Sequence, residues 1–417
     1  MTSASSVAQP PLNLELVRSA FPSLGSDWIF LDNAGGSQIA QPVIDRLNDY
    51  LLTSNVQLGA SYAVSQQASQ RLAQANQAAA TFINAADPSE VVMGPSTSLL
   101  LRILAYCLGQ TLQPGDEIIV TNCDHEANIT PWLDLQRQGI VVKFWSICPQ
   151  TLTLPLNDLA ELLTNKTRLV ALTHASNVLG TLNPIRQIAD WVHSCGALIC
   201  VDGVGYAPHR LIDVQALDVD FYVFSYYKVY GPHHALLYGK REHLLPLPSF
   251  NHSFITPDSL PYKLQPGGAN YELSYSTLGI LDYLEQLVDQ PETLTPRDRW
   301  VQAFDRISRH EEALSRRLLD FLTSQPNVSV IGETTPDRQI RVPTVAFTVA
   351  NTDSATLPPQ LDKHQIGIRY GDFYAKRLIN ALGLADQNGV VRVSLVHYNT
   401  LAECDRLIAH LEPLLSA

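Results

Sequence analysis

A lysine, Lys228, closes an apolar strand-like run from Asp220 to Tyr227 (DFYVFSYY) and is followed by the turn residues Tyr230-Gly231-Pro232. Strand-to-turn junctions put side chains at the mouths of open α/β sheets, and apolar neighbours desolvate an ammonium and lower its pKa. An amine tuned in this way attacks aldehydes. A second apolar run, Ala197 to Val201 (ALICV), ends in Asp202-Gly203, 26 positions before Lys228, so two strands can deliver a carboxylate and an amine to one crevice. That pair is what pyridoxal phosphate requires: a lysine to hold its aldehyde as a Schiff base and an acid to keep its pyridine nitrogen protonated. The same two residues also suit a solvated turn lysine and a helix-capping aspartate.

Further candidates fall where strand ends meet helix starts, the edge at which open α/β sheets bind ligands. Gly94-Pro95-Ser96-Thr97-Ser98 follows EVVM and opens a helix, so its amides and hydroxyls can hold a phosphate, although Ser96 and Thr97 also suit an ordinary N-cap. Asp124-His125-Glu126-Ala127-Asn128 follows EIIVTNC, and His125 can stack on an aromatic ring. A metal is the rival there, but one histidine with two flanking acids cannot converge on an ion without outside ligands. Asn177 offers an amide to a phenolic oxygen or a substrate carboxylate, or serves the turn that follows it. Arg392 sits inside the apolar strand VVRVSL, where a guanidinium requires an anion, either a substrate carboxylate or an internal salt bridge.

These residues need a scaffold of ordinary globular size. The chain has 417 residues, 46% hydrophobic and 16% charged, which is enough for one large core or two smaller ones. Its net charge of −12 argues against a nucleic-acid partner and favours a small metabolite. The opening MTSASSVAQPPLNLELV has no basic region before an apolar one, and LLLRILAYCLG is too short to span a bilayer, so a cytoplasmic protein without membrane association is expected. Six scattered cysteines (Cys107, Cys123, Cys148, Cys195, Cys200, Cys404) signal neither a disulfide scaffold nor a zinc site.

Between about residues 28 and 240, short β-rich runs alternate with helix-like stretches, which predicts an α/β fold with a parallel sheet covered on both faces. The strands are WIFLDN, EVVM, EIIVTN, VVKFW, RLVALTH, ALICVD, DFYVFS and ALLYG. Residues 245–270 are rich in Pro, Ser and Gly and read as a surface loop. Thr295 to Ser324 reads as one long helix, followed by the strands VSVIG, RVPTVAFTVA, GIRY and VVRVSL and a closing helix from Leu401 to Leu415. Two domains are expected: 22–285, large and α/β, and 286–417, small and α+β, the latter including an N-terminal arm, 1–21.

In this order, GPSTS, DHEAN, THASNVLGT, VDG, DVQALDVDFYVFSYYK and VRVSLVHYNT resemble the class V aminotransferase-like pyridoxal-phosphate enzymes, the group containing the cysteine desulfurases and selenocysteine lyase. The resemblance covers nearly the whole chain. It implies fold type I, with a mostly parallel seven-stranded sheet flanked by helices, and a homodimer. By the same resemblance Lys228 is the Schiff-base lysine, Asp202 the partner of the pyridine nitrogen and His125 the ring-stacking histidine. Asn177 then lies near the phenolic oxygen and the substrate, Ser96, Thr97 and Ser225 are phosphate ligands, and Arg392 anchors the substrate carboxylate.

The chain departs from that group in specific places. Tyr374, in IRYGDFYA, stands where cysteine desulfurases carry the cysteine that takes sulfur as a persulfide, and a phenol cannot replace a polarizable thiolate in that step. Tyr227 replaces a histidine before the lysine and can still donate to phosphate, Gly205 replaces a glutamine, and Gly268 stands where relatives often have a threonine that reaches a partner's phosphate. With Gly205 unable to donate, the phenolic oxygen is left to Asn177 or Tyr206. The expected activity is therefore a carbon-sulfur β-lyase acting on cysteine, cystine or a cysteine conjugate. Transamination and epimerisation share its first step, and a non-catalytic scaffold is the rival from another class.

Overall fold

A computed structural model describes residues 11–289 and 291–415, so the first ten residues of the expected N-terminal arm lie outside the described residues. The strands are β1 (Ile29–Phe30), β2 (Val91–Gly94), β3 (Glu117–Thr121), β4 (Val141–Trp145), β5 (Thr167–Thr173), β6 (Leu198–Asp202), β7 (Phe221–Ser225), β8 (Ala235–Gly239), β9 (Val328–Ile331), β10 (Thr344–Val349), β11 (Ile366–Gly367), β12 (Arg369–Gly371) and β13 (Val390–Ser394). Seven of them form one sheet in the order β2-β8-β7-β6-β5-β3-β4. Only β8 runs against its neighbours β2 and β7, and the remaining pairs are parallel.

Up to their last residues, β6 and β7 are apolar because helices cover both faces, and alternate residues serve different cores. Ile199 and Val201 of β6, with Tyr222 and Phe224 of β7, join one buried cluster. Cys200, Phe221 and Val223 join the other. Asp202 and Ser225, the last residues of their strands, are the first polar positions at the carboxyl edge.

The second lobe has a four-stranded antiparallel sheet, β12-β13-β10-β9. It packs on the helices Pro296–Ser324 and Leu401–Leu415 through Leu314, Leu318, Phe347, Val393 and Leu411. The long helix starts where the sequence places it, with the Thr295 side chain accepting from Asp298 N. Two segments differ from expectation. The WIFLDN strand does not enter the large sheet: β1 pairs in parallel with β11, and Ile29 and Leu31 are buried in the small-lobe core. Residues 245–270 are not wholly a surface loop, because the connection turns back at Tyr262–Leu264 and buries Lys263, whose ammonium donates to Leu245 O (3.0 Å) and Leu247 O (2.8 Å). Two carbonyls that the turn would otherwise leave unpaired are satisfied by that one buried cation.

Gly203 lets the chain leave β6 against the buried Tyr222, where an added Cβ would meet ring carbons at 2.1 and 2.2 Å and the hydroxyl at 2.2 Å. Tyr222 cannot swing aside without giving up its 2.8 Å bond to His174. Gly203→Ala is therefore expected to destabilise the fold by about 1–3 kcal/mol, the usual cost of overpacking a close-packed core. A urea unfolding midpoint equal to that of the parent protein would contradict this packing.

Candidate active site

The pairing register carries the site residues to one edge of the large sheet. Thr173 pairs with Asp202, Asp202 with Val223, and Ser225 with Ala235, which on its other side pairs with Gly94. Because β8 is antiparallel to both neighbours, β2 runs in the same direction as β7. The helix Thr97–Gly109, which follows β2, therefore begins beside the end of β7. Thr97 Oγ1 and Ser225 Oγ are 2.5 Å apart there. Ser96 caps the same helix, accepting from Leu99 N at 3.2 Å, so the N-cap reading of Ser96 holds. One cavity is lined by Ser96, Thr97, His125, Asn177, Asp202, Ser225, Tyr227 and Lys228. Of the site residues expected from the sequence, all but Arg392 and Tyr206 are among its walls.

Lys228 ends a short helical turn after β7 and is buried, with no hydrogen bond or ion pair among the described residues. Burial and the Arg392 charge lower its amine to about 8, against smaller opposing effects of Asp202 and Asp32. Asp202 accepts from Val204 N (2.9 Å) through one oxygen, and burial raises its carboxyl. His125 is lowered to about 4 by burial and by the Lys228 and Arg392 charges, so it is neutral at physiological pH. Its Nδ1 accepts from Ala127 N (3.0 Å), which places the proton on Nε2. The acids flanking His125 turn elsewhere: Asp124 accepts from Thr121, Thr173 N and Asn128, while Glu126 pairs with Arg377 at 2.8 Å. Burial raises the Asp124 carboxyl to about 7.

Arg392 lies beyond the cavity wall and already has an anion. Its Nη2 donates to Asp32 (2.7 Å) and its Nη1 to the Asn177 carbonyl (3.0 Å), while its Nε is buried without a partner. The internal salt bridge, one of the two readings open from sequence, is thus present. Asn177 directs one amide N–H to Phe373 O (2.9 Å). Tyr206 does not serve the cavity. Its ring stacks on His174, centroids 3.6 Å apart, and both line an open groove of about 780 Å³ on the other side of the same wall. Alternation along the chain explains this, since Thr173 and Ala175 face the cavity while His174 faces the groove. The groove lacks Lys228 and His125, and its Arg210, Arg297 and Arg338 are paired with Glu311, Asp213 and Asp305.

Phe373 and Tyr374 are consecutive non-glycine residues with left-handed backbone, φ 52° and 60°. That conformation costs roughly 1–2 kcal/mol per residue and persists only where surroundings impose it. The Asn177 amide holds Phe373 O, and Glu126 N holds Tyr374 O at 2.8 Å. The exposed Tyr374 ring lies 5.2 Å from that of His125. Among the described residues no cysteine lines the cavity. Sequence reasoning passed over Asp32 and Phe373. The only signal was an acid closing the strand WIFLD and an aromatic in the loop carrying Tyr374.

A family profile described as Aminotransferase class-V matches residues 29–270 and 299–407. The chain is 47% identical over 414 residues to the aminotransferase-like protein FGM3 of Gibberella zeae, covering 97% of this chain and 98% of that protein. It is 35% identical over 416 residues to the cysteine desulfurase-like protein ustD of Aspergillus flavus, covering 97% and 91%. Among solved structures it is similar to the cysteine desulfurase CsdA, in S-sulfonic acid form, from Escherichia coli, with a TM-score of 0.83, 27% identity and coverage of 98% of this chain and 99% of that one.

The buried amine has a stability consequence. An unfolded lysine titrates near 10.4, so between about pH 8 and 10 the unfolded chain binds more protons than the folded one, and stability contributed through Lys228 rises with pH. Cofactor-free Lys228→Met is expected to be more stable than the parent by about 1–3 kcal/mol at pH 7, with the gap closing towards pH 10. Parallel stability curves for the two proteins would show that the lysine is not desolvated.

Proposed function

Because this chain belongs to the aminotransferase class-V family and is a pyridoxal-phosphate-dependent enzyme, we propose that it is a carbon-sulfur β-lyase acting on cysteine, cystine or a cysteine conjugate without a protein persulfide. The donor set fits the cofactor. Lys228 is a buried amine that no protein acid claims, Asp202 keeps one carboxylate oxygen without a protein partner among the described residues, and a helix N-terminus with Thr97 and Ser225 hydroxyls lies at the same cavity. In the proposal Lys228 carries the cofactor, Asp202 holds the pyridine nitrogen, His125 covers the ring as a neutral imidazole, and Ser96, Thr97, Ser225 and Tyr227 hold the phosphate. The bound cofactor supplies a protonated ring able to take up an electron pair from the substrate Cα.

The chain's own groups supply the rest. Arg392 orients the substrate α-carboxylate with Asn177 beside it, and Lys228, with an amine lowered to about 8, takes the Cα proton as a base available near neutral pH. Loss of the Cβ substituent, as hydrogen sulfide from cysteine, the persulfide of cysteine from cystine or a thiol from a conjugate, then gives pyruvate and ammonia after hydrolysis. The observation that carries the lyase reading is the cavity wall without a thiol, with Tyr374 beside His125 at its edge. A persulfide step needs a thiolate acceptor, and the buried Cys123, next in sequence to Asp124, has its thiol pushed far up by burial. The proposal includes a homodimer, supported by apolar side chains left exposed at Leu52, Tyr106 and Phe254.

The reading predicts that holoenzyme incubated with L-cysteine, L-cystine and S-substituted cysteines releases pyruvate, ammonia and the sulfur leaving group (sulfide, cysteine persulfide or thiol, respectively) in equal amounts from at least one of them. Accumulation of the cofactor's amine form would point to transamination, and loss of substrate optical activity without products to epimerisation. Alanine formed together with sulfane sulfur would overturn the proposal.

A further inference from the structure

We propose that Phe373 is a positioning residue for the substrate-carboxylate anchor, fixing the plane of the Arg392 guanidinium through its ring face. This rests on the reading of Arg392 as that anchor. The guanidinium carbon sits 3.7 Å from the Phe373 ring centroid, a contact made against the face of the ring. Both side chains are buried, Arg392 at 2% and Phe373 at 7% exposure, so little solvent screens their attraction. The contact is one side of a closed triangle. Arg392 Nη1 donates to Asn177 O (3.0 Å), and the Asn177 side chain donates back to Phe373 O (2.9 Å). Asp32 takes Nη2 at 2.7 Å, so the guanidinium is held at two nitrogens and on one face. A guanidinium has five N–H donors, and these two bonds leave three, Nε–H and one on each Nη nitrogen, enough to take a carboxylate bidentately.

The backbone of Phe373 gives the second observation. A buried aromatic that only filled the core would have no need of a left-handed φ of 52°, nor would its neighbour need 60°. The left-handed turn lets one residue present its carbonyl to Asn177 and its ring to Arg392 together. The Asp372 carboxylate, accepting from Tyr374 N at 2.9 Å, and Glu126 N, donating to Tyr374 O, hold that turn in place. Arg369 approaches the same ring at 5.9 Å and Asp32 at 3.6 Å, so the ring and the acid lie between two guanidiniums and hold the nearer one, Arg392.

The test compares holoenzyme affinities for L-alanine, which carries an α-carboxylate, and for ethylamine, which lacks one, by calorimetry in the parent, Phe373→Leu, Phe373→Met, Phe373→Tyr and Arg392→Ala. Leu and Met keep apolar bulk without a π face, and Tyr restores the face. Loss of the contact should weaken L-alanine about tenfold in the Leu and Met variants and leave ethylamine and Phe373→Tyr within about twofold of the parent. Cofactor content and melting temperature show that each variant folds, and the Met variant decides the matter should Leu fail to do so. Parent-like L-alanine affinity in both variants, or equal losses for both ligands, would overturn the inference while Arg392→Ala still loses L-alanine selectively. Unchanged L-alanine affinity in Arg392→Ala would remove the anchor itself, and the role of Phe373 with it.

Discussion

The structure is organised around a buried ammonium that the protein does not neutralise. Lys228 lies at the carboxyl edge of the sheet with no acid in hydrogen-bonding contact, and burial together with the Arg392 charge leaves its amine near 8. Such a placement costs stability, because a charged amine loses its hydration without an ion pair in return. The neighbouring groups share the strain. His125 is driven neutral by burial and then by the Lys228 and Arg392 charges, and Asp32 draws the Arg392 charge towards itself. An arrangement of this kind is maintained where an amine must be free to react rather than to pair.

The sheet order explains how groups distant in sequence meet. Asp202, Ser225 and the start of the Thr97–Gly109 helix converge because β8 is inserted antiparallel between β2 and β7, which brings the carboxyl end of β2 to the edge where β5, β6 and β7 end. The small lobe meets the cavity wall through Arg392, which donates to the Asn177 carbonyl. Asp32 follows β1, whose pairing with β11 ties it to the small-lobe core, and Arg392 projects from β13 of the small sheet. The proposed anchor therefore comes from one lobe and the proposed cofactor lysine from the other, joined through Asn177 and the Phe373 turn.

Much of this was legible in the chain itself. Apolar runs ending in Asp202 and Lys228 located the crevice, and the strand-helix alternation marked the large sheet, because local patterns of two and 3.6 residues need no knowledge of the fold. What stayed hidden depended on contacts between distant segments. The run WIFLD has the pattern of a core strand, yet its partner β11 lies more than 330 residues away in sequence, and no local pattern reports such a pairing. A guanidinium in an apolar strand announced a missing anion at Arg392 without saying whether Asp32 or a ligand supplies it. Tyr206 was expected near the cavity, but a single-residue alternation after Gly205 turned it to stack on His174 instead. The left-handed Phe373 had no sequence marker, since glycine and asparagine are the usual residues there.

The central claim is that the Lys228 amine is the point at which pyridoxal phosphate is held, with Asp202 at the far side of its ring. Borohydride reduction of the yellow holoenzyme followed by peptide mapping tests it most directly. The account predicts a stable pyridoxyl group on Lys228 alone and none in Lys228→Ala. A label on another lysine, or cofactor fixed equally well without Lys228, would contradict it.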